Sequence, residues 1–215
     1  MKKIAVVLAG NGVYDGAEIH EVVLTLLAIA RQGAKYQCFA PDIEQAQVIN
    51  HLTGGQMPEK RNVLVEAARI ARGNIKPLSE YNAENYDALI FPGGFGVAKN
   101  LCTFAFDGIN CKVNPDVEKA VRATAVAEKP IGALCISPVL IARILTEVEV
   151  TIGEDEVTVD AIENLGATHI QSTHGEIVVD EKYKLVTTPC YMLDATIDQV
   201  AGGAANLVKK IIDLS

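Results

Sequence analysis

Tryptophan is absent from this 215-residue sequence, aromatic residues make up only 5% of it, and histidine occurs four times. No two of the five cysteines (Cys38, Cys102, Cys111, Cys135, Cys190) stand in a Cys-x-x-Cys spacing or beside a histidine in a ligand pattern. That excludes a sequence-encoded zinc site and argues against a disulfide framework, so no metal is expected and the thiols are read as reduced, in a cytoplasmic protein. Positive charge is also scarce. Nineteen Lys and Arg face 27 Asp and Glu, a formal charge of −8. A surface of that sign repels phosphate, which removes nucleic acid and anionic membrane from the expected partners. No apolar run is long enough to span a bilayer. Met1-Lys2-Lys3 and the apolar Ile4 to Gly10 imitate a signal peptide, but the run is short and meets Asn11-Gly12 at once. It reads as a buried first strand. Linkers, repeats and low-complexity tracts are missing too, so residues 1–215 are read as one domain.

What is present is hydrophobic material in a regular order: 49% of residues are apolar, and short continuous apolar runs alternate with segments of helical period. This is the pattern of a parallel sheet covered by helices on both faces. Strands are expected at 4–9, 35–40, 88–91, 131–134 and 148–152, with a closing pair at 177–179 and 185–187. Helices are expected at 17–32, 61–72, 114–128, 138–145, 159–165 and 195–214. In the first helix, Ile19, Val22, Val23, Leu26 and Ala30 form the stripe assigned to the core. Residues 42–60 read as an excursion with little regular structure. The long connection 96–114 reads either as a wall or lid over a site or as a packed surface excursion.

In such sheets ligands bind beyond the carboxyl ends of the strands, and three strands here end in unusual residues. Gly132-Ala133-Leu134 stops at Cys135, and a helix opens at Pro138. The arrangement resembles a nucleophile elbow, in which a helix N-terminus aimed at the sulfur favours thiolate. Pro92-Gly93-Gly94 follows another strand. Its glycines permit close backbone approach, and the Gly94 N–H together with that of Ile136 could hold an oxyanion, with Gly93 supporting the turn. After the first strand come Asp15 and Glu18. Glu18 is either part of a capping box with Asp15 or a carboxyl that exchanges a proton with Cys135.

Glu18, Pro92-Gly93-Gly94 and Cys135 together resemble the ThiJ/PfpI group of the class I glutamine amidotransferase-like superfamily. The wording of Gly12-Val13-Tyr14-Asp15-Gly16, Glu18-Ile19-His20-Glu21, Asn50-His51-Leu52-Thr53-Gly54, Pro92 to Gly96, Ala98-Lys99-Asn100-Leu101 and Val186-Thr187-Thr188-Pro189 with Tyr191-Met192 is similar to ElbB-type proteins. The resemblance runs from the first strand to the last helix. It implies a flavodoxin-like three-layer α/β sandwich, a homodimer, Cys135 as nucleophile and Glu18 as its carboxyl partner. It also implies a cofactor-independent, glutathione-independent glyoxalase-like lyase converting glyoxal, or a related small aldehyde substrate, to a hydroxy acid. A deglycase reading of the same chemistry exists.

Two departures matter. Ile136 stands where the peptidase pattern has a histidine after the cysteine. His174-Gly175-Glu176 imitates the amidotransferase His-x-Glu pair but precedes a strand instead of following the last one. His20 is turned roughly 200° from Glu18 on a helix and reads as packing or surface. Cys190, after the last strand, reads as a buried thiol at the functional edge. The competing function is a non-catalytic thiol redox sensor or binding module on the same scaffold.

Overall fold

The computed structural model describes all 215 residues. Its centre is a seven-stranded sheet: β1 (Lys3–Val7), β2 (Lys35–Ala40), β3 (Ile75–Pro77), β4 (Ala88–Phe91), β5 (Ile131–Leu134), β8 (Val178–Asp180) and β9 (Leu185–Thr188). The spatial order is β3-β2-β1-β4-β5-β9-β8, all parallel except the β8–β9 hairpin. β4, β5 and β9 are buried along their whole length, as strands covered on both faces must be. Two short strands, β6 (Glu149–Val150) and β7 (Thr168–His169), pair in parallel outside the main sheet. The apolar run 148–152 therefore does form a strand, but not a member of the central sheet.

The helices are α1 (Ile19–Arg31), α2 (Val63–Ile70), α3 (Phe104–Asp107), α4 (Pro115–Val126), α5 (Ser137–Ile144), α6 (Glu156–Asn164) and α7 (Ile197–Leu214). Helices on both faces of a mostly parallel sheet, as the sequence pattern predicts, make the flavodoxin-like sandwich that the family resemblance implies. Pro115 sits in the first turn of α4, behind an Asn114 cap that accepts the Asp116 and Val117 N–H groups, since a first-turn residue needs no intrahelical donor. α7 starts with a Thr196/Gln199 capping box. None of the helices is long and apolar enough to cross a membrane.

α1 departs from its expected orientation. Glu21, Val22, Thr25, Leu26, Ala28 and Ile29 face inward, while Ile19, Val23 and Leu27 are 43, 47 and 41% exposed. The helix is rotated so that a glutamate, not an isoleucine, opens its buried face. Residues 42–60 contain only isolated bridges, Glu44 with Asn62 and Ile49 with Gln56. They are anchored on the β1–α1 loop: Asp15 Oδ2 accepts the Ile49 N–H at 2.6 Å. Asp15 therefore makes no capping box with Glu18.

Candidate active site

Three loops meet above the carboxyl ends of β1, β4 and β5. The chain leaves β5 and places Cys135 at φ +58, a left-handed conformation that costs a non-glycine residue of the order of 1–3 kcal/mol. The elbow is tied down on both sides. The Cys135 N–H donates to Thr188 O at 3.0 Å on β9, and the Ser137 hydroxyl, in the first turn of α5, donates to Pro92 O at 2.9 Å. The Glu18 N–H donates to Gly93 O at 2.9 Å, locking the start of α1 to the glycine loop. Asn100 completes the frame by donating to Ala9 O and Asp15 O, each at 2.9 Å.

Glu18 caps α1: its Oε2 accepts the Glu21 N–H at 2.7 Å. Glu18 also lines the cavity above Cys135; it caps the helix by itself and not as part of a box with Asp15. The carboxyl that meets the sulfur is nevertheless that of Glu21, one helical turn on. Glu21 is fully buried. Its Oε2 accepts the Gly93 N–H at 2.9 Å, and its Oε1 takes the Tyr191 N–H at 3.3 Å. Burial, and then the Glu18 charge, push the Glu21 carboxyl up to about 8, because both disfavour the ionised form.

Cys135 does not carry the lowered pKa expected from the helix behind it. Burial, reinforced by the charge of Glu21, raises its thiol well above the ordinary range, and the facing Gly94 N–H offsets this only in part. The dipole of an eight-residue helix is worth about 0.3–1 kcal/mol near its end, less than complete desolvation of a thiolate. The site thus holds two acids of raised affinity in contact, and its lower ionisation belongs to the pair.

Of the proposed oxyanion donors, the Ile136 N–H makes no hydrogen bond within the chain, and that of Gly94 faces only the Cys135 sulfur. Gly93 is corrected: its N–H is committed to Glu21. Gly93 serves by having no side chain, since a Cβ there would lie 2.9 Å from the Cys135 sulfur and 2.7 Å from Glu21 Oε2.

The cavity above the sulfur has a volume of about 390 Å³ and is walled largely by apolar side chains, including Val13, Phe95, Phe104, Ile136 and Met192. Phe104 and Ala105 come from the 96–114 connection, which therefore forms a wall of the site. Its first part is a π-helical turn, Val97–Leu101. Tyr191 reaches the cavity from beyond β9, and its hydroxyl bonds to His20 Nδ1 at 2.9 Å. Motif wording alone brought Tyr191 into view, and no histidine lines the cavity. His174 bonds to Asp194 O at 3.1 Å, remote from the sulfur. Cys190, at φ +44 and buried, lies within electrostatic reach of Cys135 and Glu21. All five thiols are free. No group of three His, Cys, Asp or Glu residues gathers to hold a metal ion.

No protein-family model matches the chain. Whole proteins do. The human mitochondrial glutamine amidotransferase-like class 1 domain-containing protein 3 is 47% identical over 99% of this chain and 83% of its own length. The mitochondrial ES1 protein of Danio rerio is 37% identical over 99% of this chain and 86% of its own. Among solved structures, an isoprenoid biosynthesis protein with an amidotransferase-like domain from Ehrlichia chaffeensis superposes with a TM-score of 0.92, at 36% identity, over 98% of this chain and 99% of that one. A DJ-1 superfamily protein from Salmonella typhimurium, at 20% identity and a TM-score of 0.63 over 99% and 91% of the two chains, shares the fold. The cytoplasmic assignment drawn from cysteine usage is overturned by these relatives, which are named as mitochondrial in human, rat and zebrafish. Unpaired cysteines report a reducing surrounding, which is not confined to one compartment.

Proposed function

We propose, for a chain that belongs to the glutamine amidotransferase-like class 1 family within the ThiJ/PfpI/DJ-1 superfamily, a glutathione-independent glyoxalase-like activity of the ElbB type. One observation carries the reading. The Cys135 sulfur on its strained elbow and the Gly94 and Ile136 N–H groups meet at one apolar cavity, and the buried Glu21 carboxyl, outside the cavity lining, lies against that sulfur.

The chemistry needs only this chain. Glu21 as carboxylate takes the Cys135 proton, and the sulfur adds to one aldehyde carbon of an α-oxoaldehyde. The carbonyl oxygen of that carbon becomes an oxyanion facing the Gly94 and Ile136 N–H groups. Glu21 returns the thiol proton to that oxyanion and is carboxylate again. It then takes the hydrogen on that carbon as a proton and delivers it to the neighbouring carbon through an enediol, while the hydroxyl proton passes to the neighbouring oxygen, leaving a thioester beside an alcohol. Water then cleaves the thioester, releasing the hydroxy acid and restoring the thiol. One carbon is oxidised, its neighbour is reduced and one water is consumed, so no external electron carrier enters. Burial, and then the charge of Glu18, hold Glu21 at an affinity suited to proton transfer near neutrality.

The cavity exceeds the volume of glyoxal several times over, and its walls are apolar. This favours an α-oxoaldehyde bearing an apolar substituent. We assign the exposed Ile19, Val23 and Leu27 stripe of α1 to a homodimer contact. The sensor alternative is disfavoured, because a thiol raised above its ordinary range is a slow target for peroxide.

The test is conversion of glyoxal and methylglyoxal to the corresponding hydroxy acids by the purified protein and by Cys135→Ser. Turnover abolished in the variant is the expected result. Equal turnover by both, or none by the wild type on any α-oxoaldehyde, sinks the reading.

A further inference from the structure

The connection that walls the cavity through Phe104 and Ala105 also carries two cysteines, outside the cavity lining and unused by the chemistry above. The chain passes Cys102, forms α3 and a 3-10 turn (Gly108–Asn110), and comes back at Cys111. Its two ends pair as a short antiparallel ladder. Cys102 is bridged with Val113, the Thr103 N–H donates to Lys112 O at 2.9 Å, and the Asn114 N–H donates to Leu101 O at 2.9 Å. Cys111 lies two residues from Val113, so it shares the face of the ladder on which Cys102 stands. The two thiols are close enough to perturb each other's ionisation, and the Cys102 thiol donates to Val97 O at 3.4 Å. Both cysteines are buried, while residues 105–110 between them are all exposed.

A cation completes the arrangement. Arg143, in the last turn of α5, donates from Nε to Cys111 O at 3.1 Å, and its charge acts on the Cys111 thiol. The neighbouring Cys102 thiol, then the guanidinium, lower the Cys111 thiol, while Cys102 is raised by the same proximity. Ionisation is thereby favoured at Cys111 over Cys102, the asymmetry that disulfide formation uses.

We propose that Cys102 and Cys111 are a peroxide-oxidisable dithiol whose disulfide staples the base of the flap 102–111 that walls the Cys135 cavity. Cys111 as thiolate attacks hydrogen peroxide, giving a sulfenic acid and hydroxide. The Cys102 sulfur then displaces the hydroxyl group, its proton leaves with the oxygen as water, and the S–S bond forms. Peroxide is reduced by two electrons and the two thiols are oxidised by two. A low-molecular-weight thiol reverses the step by exchange. Phe104 and Ala105, the flap residues on the cavity, lie within the closed loop. The inference does not depend on the aldehyde chemistry.

The sequence makes the test simple, because trypsin leaves both cysteines in one peptide, Asn100–Lys112, with no basic residue inside. The folded wild type and Cys135→Ser are treated with near-stoichiometric hydrogen peroxide, alkylated, digested and weighed. In both proteins the expected peptide has lost two hydrogen atoms and carries no alkyl group, and dithiothreitol restores both thiols. Arg143→Gln slows the oxidation severalfold, and Arg143→Lys recovers most of the rate. In Cys102→Ser, Cys111 instead stops at a sulfenic acid trapped by dimedone. Native chymotryptic cleavage at Phe106 falls in the oxidised protein. The proposal is overturned if Cys102 and Cys111 are both fully alkylated after peroxide, if either pairs instead with Cys135 or Cys190, or if Phe106 is cut at the same rate in both redox states. Because Cys135→Ser keeps the pair, a failure here is separate from a failure of the aldehyde reading.

Discussion

The carboxyl group of Glu21 lies against the sulfur of Cys135, and the two contend for one proton in a fully buried setting. Burial pushes the Glu21 carboxyl up to about 8, and the charge of Glu21 opposes ionisation of the thiol. Replacing it has opposite effects on two measurements. In Glu21→Gln the opposing charge is gone, so the pH midpoint for alkylation of Cys135 by iodoacetamide shifts down. Turnover of an α-oxoaldehyde falls by about 10²–10⁴-fold, the usual contribution of a positioned general base. A midpoint that moves up, or turnover within threefold of the wild type, would show that Glu21 is not the proton acceptor.

The same ionisation predicts a pH dependence of stability. The folded-state affinity of Glu21 is raised, to about 8 from an ordinary value near 4.5. Its contribution is therefore fully present below the unfolded-state pKa and is lost as pH rises toward the folded one. Glu21→Gln removes that loss while sharing the other titrations. Between pH 4.5 and 8 the Tm of the wild type should fall relative to that of the variant. A constant offset between the two Tm curves across this range would mean that Glu21 is ionised throughout.

Much of the sheet was legible in the sequence because β1, β4, β5 and β9 are continuous apolar runs bounded by turns, a signal that needs no tertiary context. Cys135 was legible for the same reason: it stands where a buried strand stops and a helix starts. Glu21 was not. The stripe assigned to the core of α1 used its most hydrophobic members, Ile19 and Val23, and that choice turns Glu21 toward solvent. The structure rotates the helix because the glycine loop and the Tyr191 N–H provide partners for a buried carboxylate, partners that lie 72 and 170 residues away in the chain. The spacing of Glu18 and Glu21, three apart at a helix start, was the available signal. β3, β7 and α3 escaped because two to four residues carry too little periodicity to register.

The glycine loop gives a third prediction. Gly93→Ala places a methyl group between the Cys135 sulfur and Glu21 Oε2, where no displacement relieves both contacts. Overpacking of this kind costs about 1–3 kcal/mol. It also separates sulfur from carboxyl, so turnover should fall by at least tenfold in protein that remains folded by circular dichroism. Full activity in Gly93→Ala would show that the contact between Cys135 and Glu21 is dispensable.

Substrate size follows from the walls of the cavity. Phe95, Phe104 and Met192 offer apolar surface that glyoxal cannot reach. Burying one methylene is worth about 0.8 kcal/mol, so a phenyl substituent should raise kcat/KM for phenylglyoxal at least tenfold over glyoxal. Phe104→Ala should narrow that preference while leaving glyoxal turnover near its starting value. Equal kcat/KM for the two aldehydes in the wild type would place the substituent outside the cavity.

The exposed stripe of α1 leads to the last prediction. Ile19, Val23 and Leu27 recur at intervals of four and form one apolar ridge, on the helix whose opposite face carries Glu21 into the site. A ridge of this kind on an otherwise acidic chain is costly to leave in water, and a two-fold contact would cover it with its own copy. Val23→Glu puts like charges face to face across such a contact. The wild type should sediment as a dimer and Val23→Glu as a folded monomer. Because α1 also sets Glu21, loss of the contact should lower turnover without moving the alkylation midpoint of Cys135 by more than a few tenths of a pH unit. Sedimentation of the wild type as a monomer would remove the dimer and leave the ridge without an assigned occupant.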